Sequence, residues 1–240
     1  MNINNAPCIP HLVRVLLVLL LAAPGLLCAC ADKEPEERAV LIAAIKNNLL
    51  SKSGMAFVAL TEEQKKSMGA DYTAQYESLG SLHNDRALEA KFSEFPKFMS
   101  VMMQESQAPE KKQILADAYS MIKDGRDTLA AKLAELQKKR TEFKQPEELA
   151  AVYGQAFEQL IGNPLNAVME LFDQCLQALD AARDLNDYIL ANPGSAVYKG
   201  NMVQIEAPEH EQKIMELFNT YRAEAEKINS SIQKLNAVVR

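Results

Sequence analysis

The side chains that could carry nucleophilic or metal chemistry are few. Four cysteines (Cys8, Cys28, Cys30, Cys175) and three histidines (His11, His83, His210) stand in 240 residues. A zinc site needs such ligands at close, repeated spacing, as in Cys-x-x-Cys or His-x-x-x-His, and neither pattern occurs. Gly-x-Ser-x-Gly, the phosphate loop and the dinucleotide fingerprint are missing too. Glu206, Glu209, His210 and Glu211 gather beside Pro208. Acids there read as charges favoured at a helix N-terminus rather than as metal ligands. Carboxylate pairs abound, but on segments this acidic they say nothing of glycosidase-type chemistry. The expectation is no metal, no cofactor and no catalytic residues.

One cysteine has a setting that points to a definite chemistry. Met1 to Arg14 is polar, and Val15 to Ala23 is a continuous apolar run. Pro24-Gly25 interrupts any helix, because proline lacks the amide donor and glycine is too flexible. Leu27-Cys28-Ala29-Cys30 follows, and then the charged Asp32-Lys33-Glu34. A run this short cannot cross a hydrocarbon core of about 30 Å, which needs roughly 20 apolar residues. It reads as a secretory signal, residues 1–29. Its end resembles the lipobox of bacterial lipoproteins: an apolar residue, two small residues, then cysteine. Cys30 fits, with Leu27 three before it and Ala29 directly before it. Cys28 would present the bulky Leu27 at the cut and fits less well. The resemblance implies cleavage between Ala29 and Cys30 and diacylglycerol on the Cys30 sulfur. Acyl anchoring is worth about 0.8 kcal/mol per buried methylene. The alternative is an ordinary signal, cut after Ala29 or Ala31, with Cys30 unmodified. Under the lipoprotein reading the protein is held in the cell envelope facing the periplasm. Ala31, rather than an aspartate, follows the cysteine and favours the outer membrane over the inner one.

Cys8 and Cys28 leave with the signal and, under the lipoprotein reading, Cys30 carries lipid, so Cys175 is the remaining thiol and an intramolecular disulfide is not available. It lies between Phe172 and Leu179 on an apolar helical face, where a thiol packs as a small hydrophobe. The formal net charge is −6. Arg14 is the only Asp, Glu, Lys or Arg among the first 29 residues, so the remainder is more acidic by one. Such a chain has no general attraction for nucleic acid or anionic lipid.

The elements that must position these residues are helical, since Ala, Leu, Glu, Lys and Gln dominate. Residues 30–37 read as a short charged tether, and 38–240 as a single helical domain. A first helix over Glu36–Lys52 carries Val40, Ile42, Ile45, Leu49 and Leu50, and Gly54 supplies a left-handed cap. Thr61-Glu62-Glu63-Gln64 is a capping box. It opens a short helical turn to Gly69, and a further helix with Tyr72 and Tyr76 reaches toward Phe92. That tyrosine pair is expected at a helix–helix contact with solvated hydroxyls. A short helix near Pro96 carries Phe95, Phe98 and Met102. Pro109 opens a long helix to Phe143, in which Gly125 marks either close approach of a neighbouring helix or a weak spot. Pro146 starts a helix to Ile161, Gly162-Asn163-Pro164 breaks it, and another runs from Pro164 to Ala191. Residues 195–205 read as a small β-hairpin. Pro208 opens the last helix, whose Ile214, Phe218, Tyr221, Ala225, Ile228, Ile232, Leu235 and Val239 form a coiled-coil-like seam.

The expected fold is therefore all-α, an elongated up-and-down bundle with a hairpin insertion. Cys30-Ala31-Asp32-Lys33-Glu34, Glu37-Arg38, and Leu60-Thr61-Glu62-Glu63-Gln64-Lys65-Lys66 followed by Gly69 are similar to a family of small bacterial envelope lipoproteins known as a domain of unknown function. Weaker likeness continues through Asp187-Tyr188-Ile189 and the hairpin. The resemblance implies lipidation and an envelope location, and supplies no activity. Long seam-bearing helices without catalytic groups lead to one expectation: a membrane-anchored, non-enzymatic interaction or scaffold module with an envelope protein partner. The last helix's seam leaves homo-oligomerisation open. The rival expectation is a binding protein for a lipid or other apolar ligand, in a slot among Tyr72, Tyr76, Phe95, Phe98 and Met102.

Overall fold

The structure is a computed structural model and describes residues 33–86, 88, 107–199 and 202–240. The signal, the lipobox residues Leu27, Cys28 and Ala29, the lipid site Cys30, and Phe95, Phe98 and Met102 lie outside the described residues. The fold is all-α with one small hairpin, as the composition predicts.

Helix α1 spans Glu34–Ala44 and widens into a π-helical turn, Ile45–Leu50. It starts inside the stretch read as tether. Pro35 and the acids Glu34, Glu36 and Glu37 in its first turn suit a helix start. Leu41, Ile42, Ile45 and Leu49 form its buried stripe. Gly54 then turns the chain with φ +66°. Met55 N–H donates to Val239 O at 3.4 Å.

Helix α2 spans Glu62–Leu79 and opens on the expected capping box. Gln64 N–H donates to Thr61 Oγ1 at 3.2 Å, and Thr61 N–H to Gln64 Oε1 at 2.9 Å. Gly69 breaks it with φ +73°, ψ 168°. The break is a sharp corner: Lys65 Nζ lies 3.3 Å from Glu77 Oε1, and Thr73 Oγ1 donates to Lys65 O at 3.4 Å. In a straight helix those two levels would be roughly 18 Å apart at 1.5 Å per residue. The expected run toward Phe92 stops early, at Gly80, where the Phe57 ring fills the space a side chain would need. A 3₁₀ turn, Ser81–Asn84, follows.

Helix α3 spans Ala108–Glu142 and buries Leu115, Ala118, Ile122, Leu129, Leu133 and Leu136. Helix α4 (Glu147–Phe157), a π-helical turn (Glu158–Gly162) and helix α5 (Asn163–Ala191) follow. This corrects the expected break. Gly162 is helical, at φ −61°, ψ −60°, and Asn163 N–H donates to Glu158 O, five residues back. Pro164 has no N–H, and its ring crowds the preceding turn. The wider π turn absorbs both without ending the helix. The result is one spine from Glu147 to Ala191, about 45 residues and roughly 68 Å long.

The other helices are arranged around this spine. Helix α3 runs antiparallel along its whole length. Phe143 packs edge-on to Tyr153 at 5.7 Å, Arg126 Nε donates to Asp173 Oδ1 at 2.8 Å, and Asn186 Nδ2 donates to Ala108 O at 3.1 Å. Gly125 faces the Phe172 ring, which sits where a methyl group would. Helix α6, Glu211–Val239, is antiparallel to α5. Tyr188 and His210 share a 2.9 Å hydrogen bond at one end, Gln174 donates to Glu224 Oε2 at 2.9 Å midway, and Lys234 meets Glu170 at the other. Helix α1 covers α4, with Gln159 Nε2 donating to Lys52 O at 2.9 Å and Gly54 O at 3.1 Å. So α1 and α6 lie end to end along the spine and meet at Gly54.

Strands β1 (Ala196–Lys199) and β2 (Met202–Ile205) form the expected antiparallel hairpin, with Ala196 opposite Ile205. Two strands alone are marginal in water. Here Ala196 is buried with Leu185, Ile189 and Ile214, and Tyr198 and Val203 pack against them. The α6 seam follows the expected one at Ile214, Phe218, Tyr221, Ala225, Ile228 and Leu235 and departs from it at Ile232 and Val239. The α6 face turned to the protein carries Ile214, Leu217, Phe218, Tyr221, Glu224, Ala225, Ile228, Ser231, Leu235 and Val238. Ser231 is buried, whereas Ile232 and Val239 are exposed.

Candidate functional site

Three places bring chemically distinct side chains together. The first is a polar cleft of about 600 Å³ at the end where α1 begins. Glu34 and Glu37 reach it from α1, Tyr72 and Gln75 from α2, and Glu142 and Lys144 from the end of α3. The Tyr72 hydroxyl donates to Glu34, which also lies 3.4 Å from Arg38. Burial, and then the Glu34 carboxylate, pushes the Tyr72 hydroxyl up to about 12. Beneath the cleft Gln145 Nε2 donates to Gln75 Oε1 at 2.7 Å. Ser78 and Tyr153 share a buried 2.6 Å hydrogen bond, and burial pushes Tyr153 up to about 12. Glu37 sits over Gly69, on the corner of α2, with its carboxylate close to the place a side chain would take.

This geometry separates the two tyrosines of the expected slot. Tyr72 lines the cleft. Tyr76 is fully buried, donates to Val58 O at 2.7 Å and packs its ring 5.5 Å from Phe57. Both hydroxyls, expected to be solvated, are held by protein acceptors. The other three slot residues, Phe95, Phe98 and Met102, are outside the described residues.

The second place is an apolar groove of about 340 Å³ at the joint between α1 and α6. Met55, Leu82, Leu88, Leu165, Val168 and Leu235 line it, and Pro164 closes one side. Asp85 stands on its rim, 3.2 Å from Lys132 Nζ. Sequence reasoning missed this groove because its residues come from four distant segments. Pro164 carries a local signal, but in Gly-Asn-Pro that signal is one for a helix stop.

The third is the hairpin end. His210 Nδ1 is engaged by the Tyr188 hydroxyl rather than by the neighbouring acids, and Glu206 accepts from Gln204 at 2.7 Å. Lys111 Nζ stands 5.7 Å from the centre of the Tyr198 ring, and burial holds this lysine below its ordinary range. Among the described residues no group of three His, Cys, Asp or Glu side chains is placed to hold a metal ion. Cys175 is buried, and burial pushes its thiol up to about 11, so it is protonated and a poor nucleophile. None of the described helices is long and apolar enough to cross a membrane.

The described residues thus form an all-α fold with a small hairpin, a polar cleft and an apolar groove. Residues 16–236 match the family described as "Protein of unknown function (DUF3053)", and the chain belongs to that family. No curated protein and no solved structure matches it.

Proposed function

We propose that the chain is a lipoprotein of the bacterial cell envelope, anchored through Cys30 and facing the periplasm, with the outer membrane favoured. Its helical body acts as a non-enzymatic interaction or scaffold module for an envelope protein partner. The lipobox-like Leu27-Cys28-Ala29-Cys30 supports the anchor. The observation that carries the scaffold reading is the unbroken spine. It sets the start of α1 and the hairpin at opposite ends of a rod roughly 68 Å long. A rod held at one end carries its far end well clear of the membrane surface. Exposed Met202 on the hairpin and Met215 and Ile232 on α6 offer apolar contact along it.

Photo-reactive residues at positions 202, 215 and 232 should give discrete adducts with another envelope protein in living cells. Absence of adducts at all three, with envelope complexes unchanged when the body is deleted and the anchor kept, would refute the scaffold reading. The anchor is tested separately. The Cys30→Ala protein should leave the membrane fraction, and retention after alkaline washing would overturn lipidation.

The apolar groove favours a second reading, a binding protein for a lipid or other apolar ligand. Its size and lining fall within the range of small-molecule sites. A fluorescent fatty-acid probe should then bind saturably and lose affinity on Val168→Trp. Binding unaffected by that substitution would remove this reading.

A further inference from the structure

We draw no further inference here: the strongest candidate, the apolar groove between the Ser81–Asn84 turn and the α5–α6 pair, belongs to the second reading already given, and nothing in the structure shows what covers it.

Discussion

Replacing Gly54 by alanine tests the joint on which α1 and α6 meet. Gly54 has φ +66°, a left-handed conformation that costs an L-residue about 1 kcal/mol. A methyl group there would also fall inside contact distance of the Val239 and Arg240 backbones. Backbone yields less readily than the tip of a side chain, and overpacking of this kind costs about 1–3 kcal/mol. The sum is a destabilisation of about 2–4 kcal/mol. Gly194→Ala provides the control: φ is +85°, but nothing lies within 4 Å of the added carbon. It should lose only the conformational part, about 1 kcal/mol. Urea unfolding of the purified protein measures both, and Tm should fall by about 2–4 °C per kcal/mol. A third variant separates the terms. In a chain shortened by Val239 and Arg240, Gly54→Ala should cost no more than Gly194→Ala does in the full chain. If the two alanine substitutions cost the same in the full chain, α6 is not seated on the α1 turn. If the extra cost survives the shortening, the reasoning fails in the same way.

Gln159→Ala removes two hydrogen bonds to the Lys52 and Gly54 carbonyls and should cost about 1–2 kcal/mol in the same assay. The exposed Gln137→Ala should cost nearly nothing, and equal effects would show that the Gln159 clamp does not hold α1 to the spine. Gly125→Ala drives a methyl group into the Phe172 ring and should cost about 1–3 kcal/mol, with relief expected from Phe172→Leu in a double-mutant cycle. Tyr153 has its hydroxyl raised from 10 to about 12 in the folded protein. Its neutral form is therefore the one the fold favours. The stabilisation is complete below pH 10 and is lost as pH rises to about 12. Tyr153→Phe should flatten that alkaline loss by up to about 3 kcal/mol, and an unchanged pH profile would contradict the burial argument. In Cys30→Ala protein Cys175 should react with a thiol reagent only as fast as the chain unfolds, and rapid labelling of native protein would refute its burial.

Local signals were legible where the chemistry is local. Thr61 and Gln64 announce the capping box because the two bonds close within four residues. The hairpin follows from alternation about a turn, and Gly54 from its place after an apolar stripe. The spine was misread because Gly-Asn-Pro is locally a loop signature. What keeps it helical is tertiary: α3 packs on both sides of the proline, and Leu160, Ile161 and Leu165 are buried there. The α6 seam was legible except at Ile232 and Val239, which are exposed. Ile232 is more apolar than Ser231, so a reading by hydrophobicity selects it. The face turned to α5 is set instead by the pairing of two long helices, which places Glu224 beside Gln174 and buries Ser231. The resemblance blocks hold a further case. Glu37 and Gly69 are far apart in sequence, and their adjacency in the fold is not visible from either segment alone. The groove was invisible because no one segment contains enough of it.

The seating of Val239 against the Gly54 turn has a consequence for how the chain acquires its shape. Helix α1 is among the first described segments to be synthesised, yet its closing contact comes from residues near the other end of the described chain. Contacts so remote in sequence form late, because the intervening loop must first be ordered. A partly made chain therefore cannot complete the joint. In an exported chain, as proposed above, this delay keeps early segments unlocked during transfer and defers assembly of the whole body until translocation is nearly finished.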